Sequence, residues 1–305
     1  MGNFSNSLRS NMKNFLSISA LFINSTKGAE KQQTALSFFL LAPCPGCSPH
    51  RHKAGGGVIK NFICFWRIYF FYTITMIYFS HRGANTFCVQ NTAPAFELAH
   101  KQGARNFELD VHLLKDGQLA VHHDESLLST AGKDIKLADL TSKELKQIPL
   151  KNPFSPDTVF VPLLNEILPV VSPQLDTLNI EIKNDHNIYP GIENVLLDML
   201  KNYPALAPHI LFSSFDYDTL ARLRSLAPTA RIGLLTRAFD VTKALALNAQ
   251  SVHINQTRFT PDIACVCHEN NLRVYLYTVN DIKQAAALAR DGADGIFTDA
   301  IHLFI

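Results

Sequence analysis

From residue 76 to the C-terminus the chain alternates strand-like and helix-like segments, and this alternation limits the fold more than any other feature. Period-two patterns predict strands at Ile77–His81, Asn106–Leu114, Leu119–His122, Thr177–Lys183, His209–Ser213, Arg231–Leu235, Ser251–Ile254, Arg273–Tyr277 and Gly295–Thr298. Helical spacing fits Leu163–Val171, Ile192–Lys201, Tyr217–Leu226, Thr242–Leu247, Pro261–Asn270 and Ile282–Arg290. A further helix is expected after Thr92, capped by that threonine, with Pro94 in its first turn and Gly103 at its end. Strand–helix units repeated over roughly 230 residues favour a closed α/β barrel, the TIM (β/α)8 architecture. Nine strands is one too many, so Leu119–His122 is assigned as an irregular antiparallel return arm. A doubly wound open sheet is the alternative, but no Gly-rich dinucleotide loop follows any strand. An internal echo supports repeated units: Gly103-Ala104-x-x-Phe107-x-x-Asp110 matches Gly292-Ala293-x-x-Ile296-x-x-Asp299.

Composition agrees with an enzyme-sized globular domain and excludes several function classes. Hydrophobic residues make up 47% and charged residues 18%, with a net charge of only +2 and no long basic run, so nothing points to nucleic acid. Six irregularly placed cysteines make no disulfide framework; Cys88, Cys265 and Cys267 read as reduced thiols of a cytoplasmic domain.

Residues 1–75 are of a different kind. Cys44-Pro45-Gly46-Cys47 with His50 and His52 has histidine spacing too short for a zinc finger. Phe62 to Phe79 is almost wholly apolar, yet its last residues are needed for the first strand, which leaves too little to span a bilayer. The reading preferred here is a disordered or non-native extension preceding a domain that starts at Met76; the alternative is membrane association through residues 62–75.

Polar groups gather at predicted strand ends. Glu108 and Asp110 share one face of a strand by the period-two rule, and the Asp116-Gly117 turn brings His123 back beside them. Glu181 and Lys183 likewise share a face. Three carboxylates, Glu108, Asp110 and Glu181, make an all-oxygen site suited to a divalent cation, Mg²⁺ or Ca²⁺, rather than zinc. Arg82 and Lys183 suit phosphate oxygens, and His81 and His123 can exchange protons near neutral pH. Metal, cations and an acid–base pair are what cleavage of a phosphodiester requires.

Ser80-His81-Arg82-Gly83, Asn91-Thr92 with Ala95-Phe96, Glu108-Leu109-Asp110-Val111, Lys115-Asp116-Gly117, His123-Asp124, Ile180-Glu181-Ile182-Lys183 and Thr278-Val279-Asn280 occur in the order seen in glycerophosphodiester phosphodiesterases. The chain from 76 to 305 resembles that family. The resemblance implies a TIM barrel of the PLC-like phosphodiesterase type that hydrolyses glycerophosphodiesters to sn-glycerol 3-phosphate and an alcohol, a small-molecule substrate. It implies Glu108, Asp110 and Glu181 as metal ligands, His81 and His123 as general acid and base, and Arg82 and Lys183 on the phosphate. Residues 125–162 fall where the family carries a small insertion over the substrate, after the third strand. Three departures stand out. Val89-Gln90-Asn91 replaces Pro-Glu-Asn, removing a carboxylate and with it metal affinity; Leu127–Thr130 lacks an arginine; and Tyr277 replaces a tryptophan. The competing functions are a phospholipase acting on intact lipid and a catalytically impaired phosphate-binding relative.

Neighbouring polar residues carry plainer readings. His122 points away from the site, His112 is a pocket residue or a solvated turn flank, and Asp124 orients its neighbour or shapes the turn. His253 and Asn255 line the pocket or belong to an ordinary polar rim, and Asp299 is structural.

Overall fold

The computed structural model describes residues 76–186 and 189–305. The expectations placed on residues 1–75, the cysteine–histidine cluster and the apolar stretch at 62–75 among them, lie outside the described residues. No helix among the described residues is long and apolar enough to cross a membrane.

The strands in chain order are β1 (Ile77–His81), β2 (Asn106–Leu113), β3 (Leu119–Val121), β4 (Pro149–Leu150), β5 (Val159–Phe160), β6 (Thr177–Ile182), β7 (Ile210–Ser214), β8 (Arg231–Thr236), β9 (Ser251–Asn255), β10 (Arg273–Tyr277) and β11 (Gly295–Thr298). The main helices are α1 (Ala93–Lys101), α2 (Leu128–Ala131), α3 (Ser142–Leu145), α4 (Leu164–Val171), α5 (Ile192–Leu200), α6 (Tyr217–Leu226), α7 (Val241–Ala246), α8 (Pro261–Glu269) and α9 (Ile282–Arg290). Strands β1, β2, β6, β7, β8, β9, β10 and β11 form a parallel sheet that closes on itself, because β1 pairs with both β11 and β2. The extra strand is β3, antiparallel to β2 and paired Val111 to Val121, as the return-arm reading required.

Strict alternation explains the closure. On β6, Leu178, Ile180 and Ile182 are fully buried in the main apolar core with the helices, while Asn179 and Glu181 line the barrel cavity. Each large apolar side chain so buried contributes about 1.5–3 kcal/mol. Inside the barrel, Phe79, Leu211, Tyr275 and Phe297 form a separate cluster, with Phe79 and Phe297 stacked at 4.8 Å between ring centres. An aromatic floor therefore underlies the polar mouth.

The two sequence echoes are helix exits. Gly103 (φ +104°) and Gly292 (φ +101°) follow α1 and α9 in the left-handed region, and Ala104 N–H and Ala293 N–H then donate to Ala99 and Leu288 carbonyls. The start of α1 departs from expectation: the Thr92 hydroxyl donates to the Val89 carbonyl at 2.6 Å and caps nothing. Pro94 removes one of the two N–H groups such a cap would bind. Between β3 and β6 lie α2, α3 and the two-stranded β4–β5 sheet, packed over Leu127, Leu137, Leu140, Leu145 and Ile148. The capping box at the start of α3 is present, Thr141 and Glu144 bonding reciprocally.

Candidate active site

Strand register brings the acidic groups together. His81 is aligned with Glu108 across β1 and β2, and Asp110 with Glu181 across β2 and β6. One carboxylate oxygen from each of Glu108, Asp110 and Glu181 lies within 4.8 Å of the others, and all three side chains are buried. Burial and the neighbouring Asp110 push Glu108 well above the usual carboxylate range, and the same causes push Glu181 up to about 7. Burial acts on Asp110 in the same direction, but Arg82 and Lys183 hold it well below that range. Asp110 Oδ1 is buried without a hydrogen-bond partner. Three crowded oxygen donors, two of them resisting ionisation and one orphaned, fit a hard divalent cation.

The two cations are held against this cluster. Arg82 Nε lies 3.2 Å from Asp110 Oδ2, and Lys183 Nζ donates to Glu181 Oε1 at 2.7 Å. Arg82 gets there by a left-handed backbone (φ +60°), which also lets its N–H donate to Glu108 Oε2 at 3.1 Å. Gly83 continues the turn at φ +83°, and a Cβ there would stand 2.7 Å from the Ala95 carbonyl carbon. Unfavourable backbone of this kind is kept where surrounding contacts fix it, here at the site. Asn91, also left-handed, donates from Nδ2 to Asp110 Oδ2 at 2.9 Å.

Each histidine has a carboxylate behind it. His81 Nδ1 is 2.7 Å from Asp299 Oδ1, and His123 Nδ1 is 2.6 Å from Asp124 Oδ1. Asp299 is in turn held by Asn85 Nδ2 at 2.7 Å and Asn280 Nδ2 at 2.9 Å, and Asp124 by the Ser129 hydroxyl. Burial, with help from Arg82, lowers His81 below its ordinary value against the pull of Asp299. Burial lowers His123 too, opposed by Asp110 and aided by Arg82 and Lys183. With Nδ1 spoken for in both rings, Nε2 is the nitrogen left to act on a ligand. His81 and His123 line a cavity of about 220 Å³ together with Arg82, Glu108, Glu181, Lys183, Asn179, His253, Phe215, Leu235, Tyr277, Thr278 and Phe297.

The plainer readings resolve as follows. His112 is no solvated flank: it is fully buried, accepts from Tyr189 Oη at 2.9 Å on Nδ1, and donates from Nε2 to the His123 carbonyl at 3.2 Å. Burial drops it to about 3, so it stays neutral and anchors the His123 main chain. His122 bonds the Asp124 carbonyl and Thr130, away from the cavity. His253 lines the cavity, pushed down to about 3 by burial, with Nδ1 unpartnered. Gln90 does not act on the carboxylates directly; its Oε1 accepts from Arg82 NH1 at 2.7 Å, so its effect falls on the arginine. Asp299, read as structural, holds His81. The echo with Asp110, placing an aspartate at the end of a strand on the polar rim, was the signal that could have found it.

Comparison with known proteins gives one consistent result. Residues 81–303 match the model of the glycerophosphoryl diester phosphodiesterase family. A glycerophosphodiester phosphodiesterase of Bacillus altitudinis is 35% identical over 72% of this chain and 93% of its own length. One from Caldanaerobacter subterraneus is 32% identical over 72% and 92%. Among solved structures, an Oleispira antarctica phosphodiesterase bound to the product sn-glycerol-3-phosphate is 26% identical, with a TM-score of 0.65 over 76% of this chain and 96% of that one. A glycerophosphodiester phosphodiesterase from Thermotoga maritima is also 26% identical, with a TM-score of 0.62 over 75% and 96%.

Proposed function

This chain belongs to the glycerophosphoryl diester phosphodiesterase family, and on that premise we propose that it hydrolyses glycerophosphodiesters to sn-glycerol 3-phosphate and an alcohol by paired histidine catalysis. The observation that carries the reading is the pair of histidines, His81 backed by Asp299 and His123 backed by Asp124, lining one cavity with Glu108, Glu181, Arg82 and Lys183, with Asp110 completing the acidic cluster beside it.

Arg82 and Lys183 bind the phosphate oxygens, the arginine by its fork and the lysine as a point charge. Their placement against Asp110 and Glu181 keeps both heads fixed before substrate arrives. One histidine takes at Nε2 the proton of the attacking hydroxyl, either of water, which gives the product directly, or of the substrate's own glycerol, which gives a cyclic phosphate that a water molecule then opens to sn-glycerol 3-phosphate. The other delivers a proton to the leaving alkoxide. Asp299 and Asp124 stabilise the imidazolium that forms and fix the tautomer of each ring. Glu108, Asp110 and Glu181 would hold the divalent cation, Mg²⁺ or Ca²⁺, which supplies further positive charge against the phosphate when bound. The aromatic floor and Leu235 exclude water from beneath the phosphate. Residues 76–305 are sufficient for this chemistry, since every group named lies within them.

The test is product analysis. Incubation with a panel of glycerophosphodiesters and a divalent cation is expected to release sn-glycerol 3-phosphate and free alcohol in equal amounts. Substituting His81→Gln or His123→Gln is expected to stop turnover while leaving the fold intact. Release of a phosphorylated alcohol instead, or full activity in both variants, would overturn the assignment.

A further inference from the structure

Part of the cavity lining is aromatic, and a positive charge lies over one of its rings. Phe215 follows β7 and Tyr277 ends β10, and both line the cavity, their rings meeting edge to face at 6.0 Å and 90°. The Arg237 guanidinium, just past β8, lies over the Phe215 ring with its carbon 4.3 Å from the ring centre. Arg237 is held there by Asp185, which accepts from NH2 at 3.0 Å, and it is otherwise exposed. Arg258, in the turn after β9, donates to the Arg237 carbonyl, its one hydrogen-bond partner among the described residues. Asp185 pairs with Arg237, and no carboxylate among the described residues pairs with Arg258.

We propose that this rim selects the leaving alcohol by charge, with Arg237 and Arg258 as specificity-determining residues that favour an anionic or neutral alcohol over a quaternary ammonium one. The inference rests on the reading of the site as a glycerophosphodiesterase. The glycerol arm is the same in every such substrate and can occupy the closed end of the cavity. The alcohol varies in size and, on this proposal, lies toward Phe215, a lining residue of the cavity whose ring carries Arg237.

A quaternary ammonium is recognised by aromatic faces it can lie against. Phe215 is the ring placed for that purpose, and its face is occupied by Arg237. Tyr277 stands at right angles to Phe215. A trimethylammonium group brought to the Phe215 face that Arg237 covers meets like charge. A carboxylate or phosphate on the alcohol finds the unused donors of Arg258 and the outer edge of Arg237. Two unit charges about 4 Å apart in water shift an equilibrium by about fivefold. Reversing the sign of the alcohol counts that factor twice, so a preference of about tenfold survives screening by salt.

The experiment compares three diesters of one glycerol arm: glycerophosphocholine, glycerophosphoglycerol, and glycerophosphoglycerol bearing a terminal phosphate. The wild-type chain is expected to show kcat/KM at least tenfold higher for the anionic diester than for the choline diester. Arg237→Gln and Arg258→Gln are each expected to cut that ratio by about threefold or more, and raised salt is expected to shrink it more in the wild type than in either variant. A choline diester turned over as well as the anionic one, or a ratio unchanged in both variants, overturns the proposal. A loss common to all three diesters also overturns it, since it marks a structural role. Should none of the three be hydrolysed, the proposed activity falls instead, and calorimetric affinities of the metal-free protein for the same diesters still give the ratio that decides this proposal.

Discussion

Replacing Asp299 by Asn isolates the part played by the carboxylate behind His81. Asp299 accepts three hydrogen bonds, from His81 Nδ1 at 2.7 Å, Asn85 Nδ2 at 2.7 Å and Asn280 Nδ2 at 2.9 Å. An amide keeps the shape but offers one acceptor oxygen to three donors and turns an NH₂ toward one of them. If that donor faces His81, the ring must accept at Nδ1, and its Nε2 then carries a proton it cannot take from a nucleophile. Loss of an outer partner to a functional histidine costs about 10- to 100-fold, and a reversed tautomer in a histidine–aspartate couple costs about 10⁴-fold. Asp299→Asn is therefore expected to lower kcat by between about 10- and 10⁴-fold. Asp299 does not line the cavity, so KM is expected to move by no more than about threefold. Lost hydrogen bonding costs about 1–2 kcal/mol of stability, visible as a modest fall in Tm. Steady-state kinetics on a glycerophosphodiester, with thermal unfolding of the same sample, reads all three quantities. A kcat within threefold of the wild type would refute the positioning role.

Glu108→Gln is expected to flatten the pH dependence of stability in metal-free protein. The folded pKa of Glu108 lies above its unfolded value, so ionisation is penalised in the native state, and stability falls as pH rises past about 4.5; an identical Tm–pH curve for both proteins between pH 4.5 and 7 would contradict this. Gln90→Glu gives Arg82 an anionic partner where it now has a neutral one at 2.7 Å, so KM for the diester is expected to rise severalfold while the cation concentration for half-maximal rate changes less than about twofold; the opposite split would show Gln90 acting on the metal, as the sequence suggested. A chain beginning at Met76 is expected to fold and to match the full chain in kcat/KM, with aggregation or inactivity as the contrary result.

How much of this was legible beforehand depends on the range of the interaction. The barrel strands could be read because each alternates an apolar outer face with an inner one, a pattern written every second residue, as in Leu178, Ile180 and Ile182 against Asn179 and Glu181. Glu108 with Asp110, and Glu181 with Lys183, were legible for the same reason: two residues of one strand share a face. The role of Asp299 was not, because its partner His81 lies 218 positions away and meets it only when the sheet closes. Thr92 and Gln90 failed differently. Thr92 has the right residue type for a cap, but a nearer partner, the Val89 carbonyl, claims its hydroxyl, and Gln90, whose missing charge was assigned to the metal, instead bonds the Arg82 guanidinium. His112 was left open between two readings because one of its partners, Tyr189, lies 77 positions away, outside the hairpin that a local reading could see.

The central claim is that the buried carboxylates and the two histidine–aspartate couples form one metal-dependent hydrolytic site. The most direct test is a titration of chelator-stripped protein with Mg²⁺ or Ca²⁺, following release of sn-glycerol 3-phosphate from glycerophosphoglycerol, for the wild type and for Glu181→Gln. The expected result is no product without cation, a saturable rise in the wild type, and loss of that rise in the variant despite a native fold. Product formed equally with and without cation, or the same titration curve from both proteins, would contradict it.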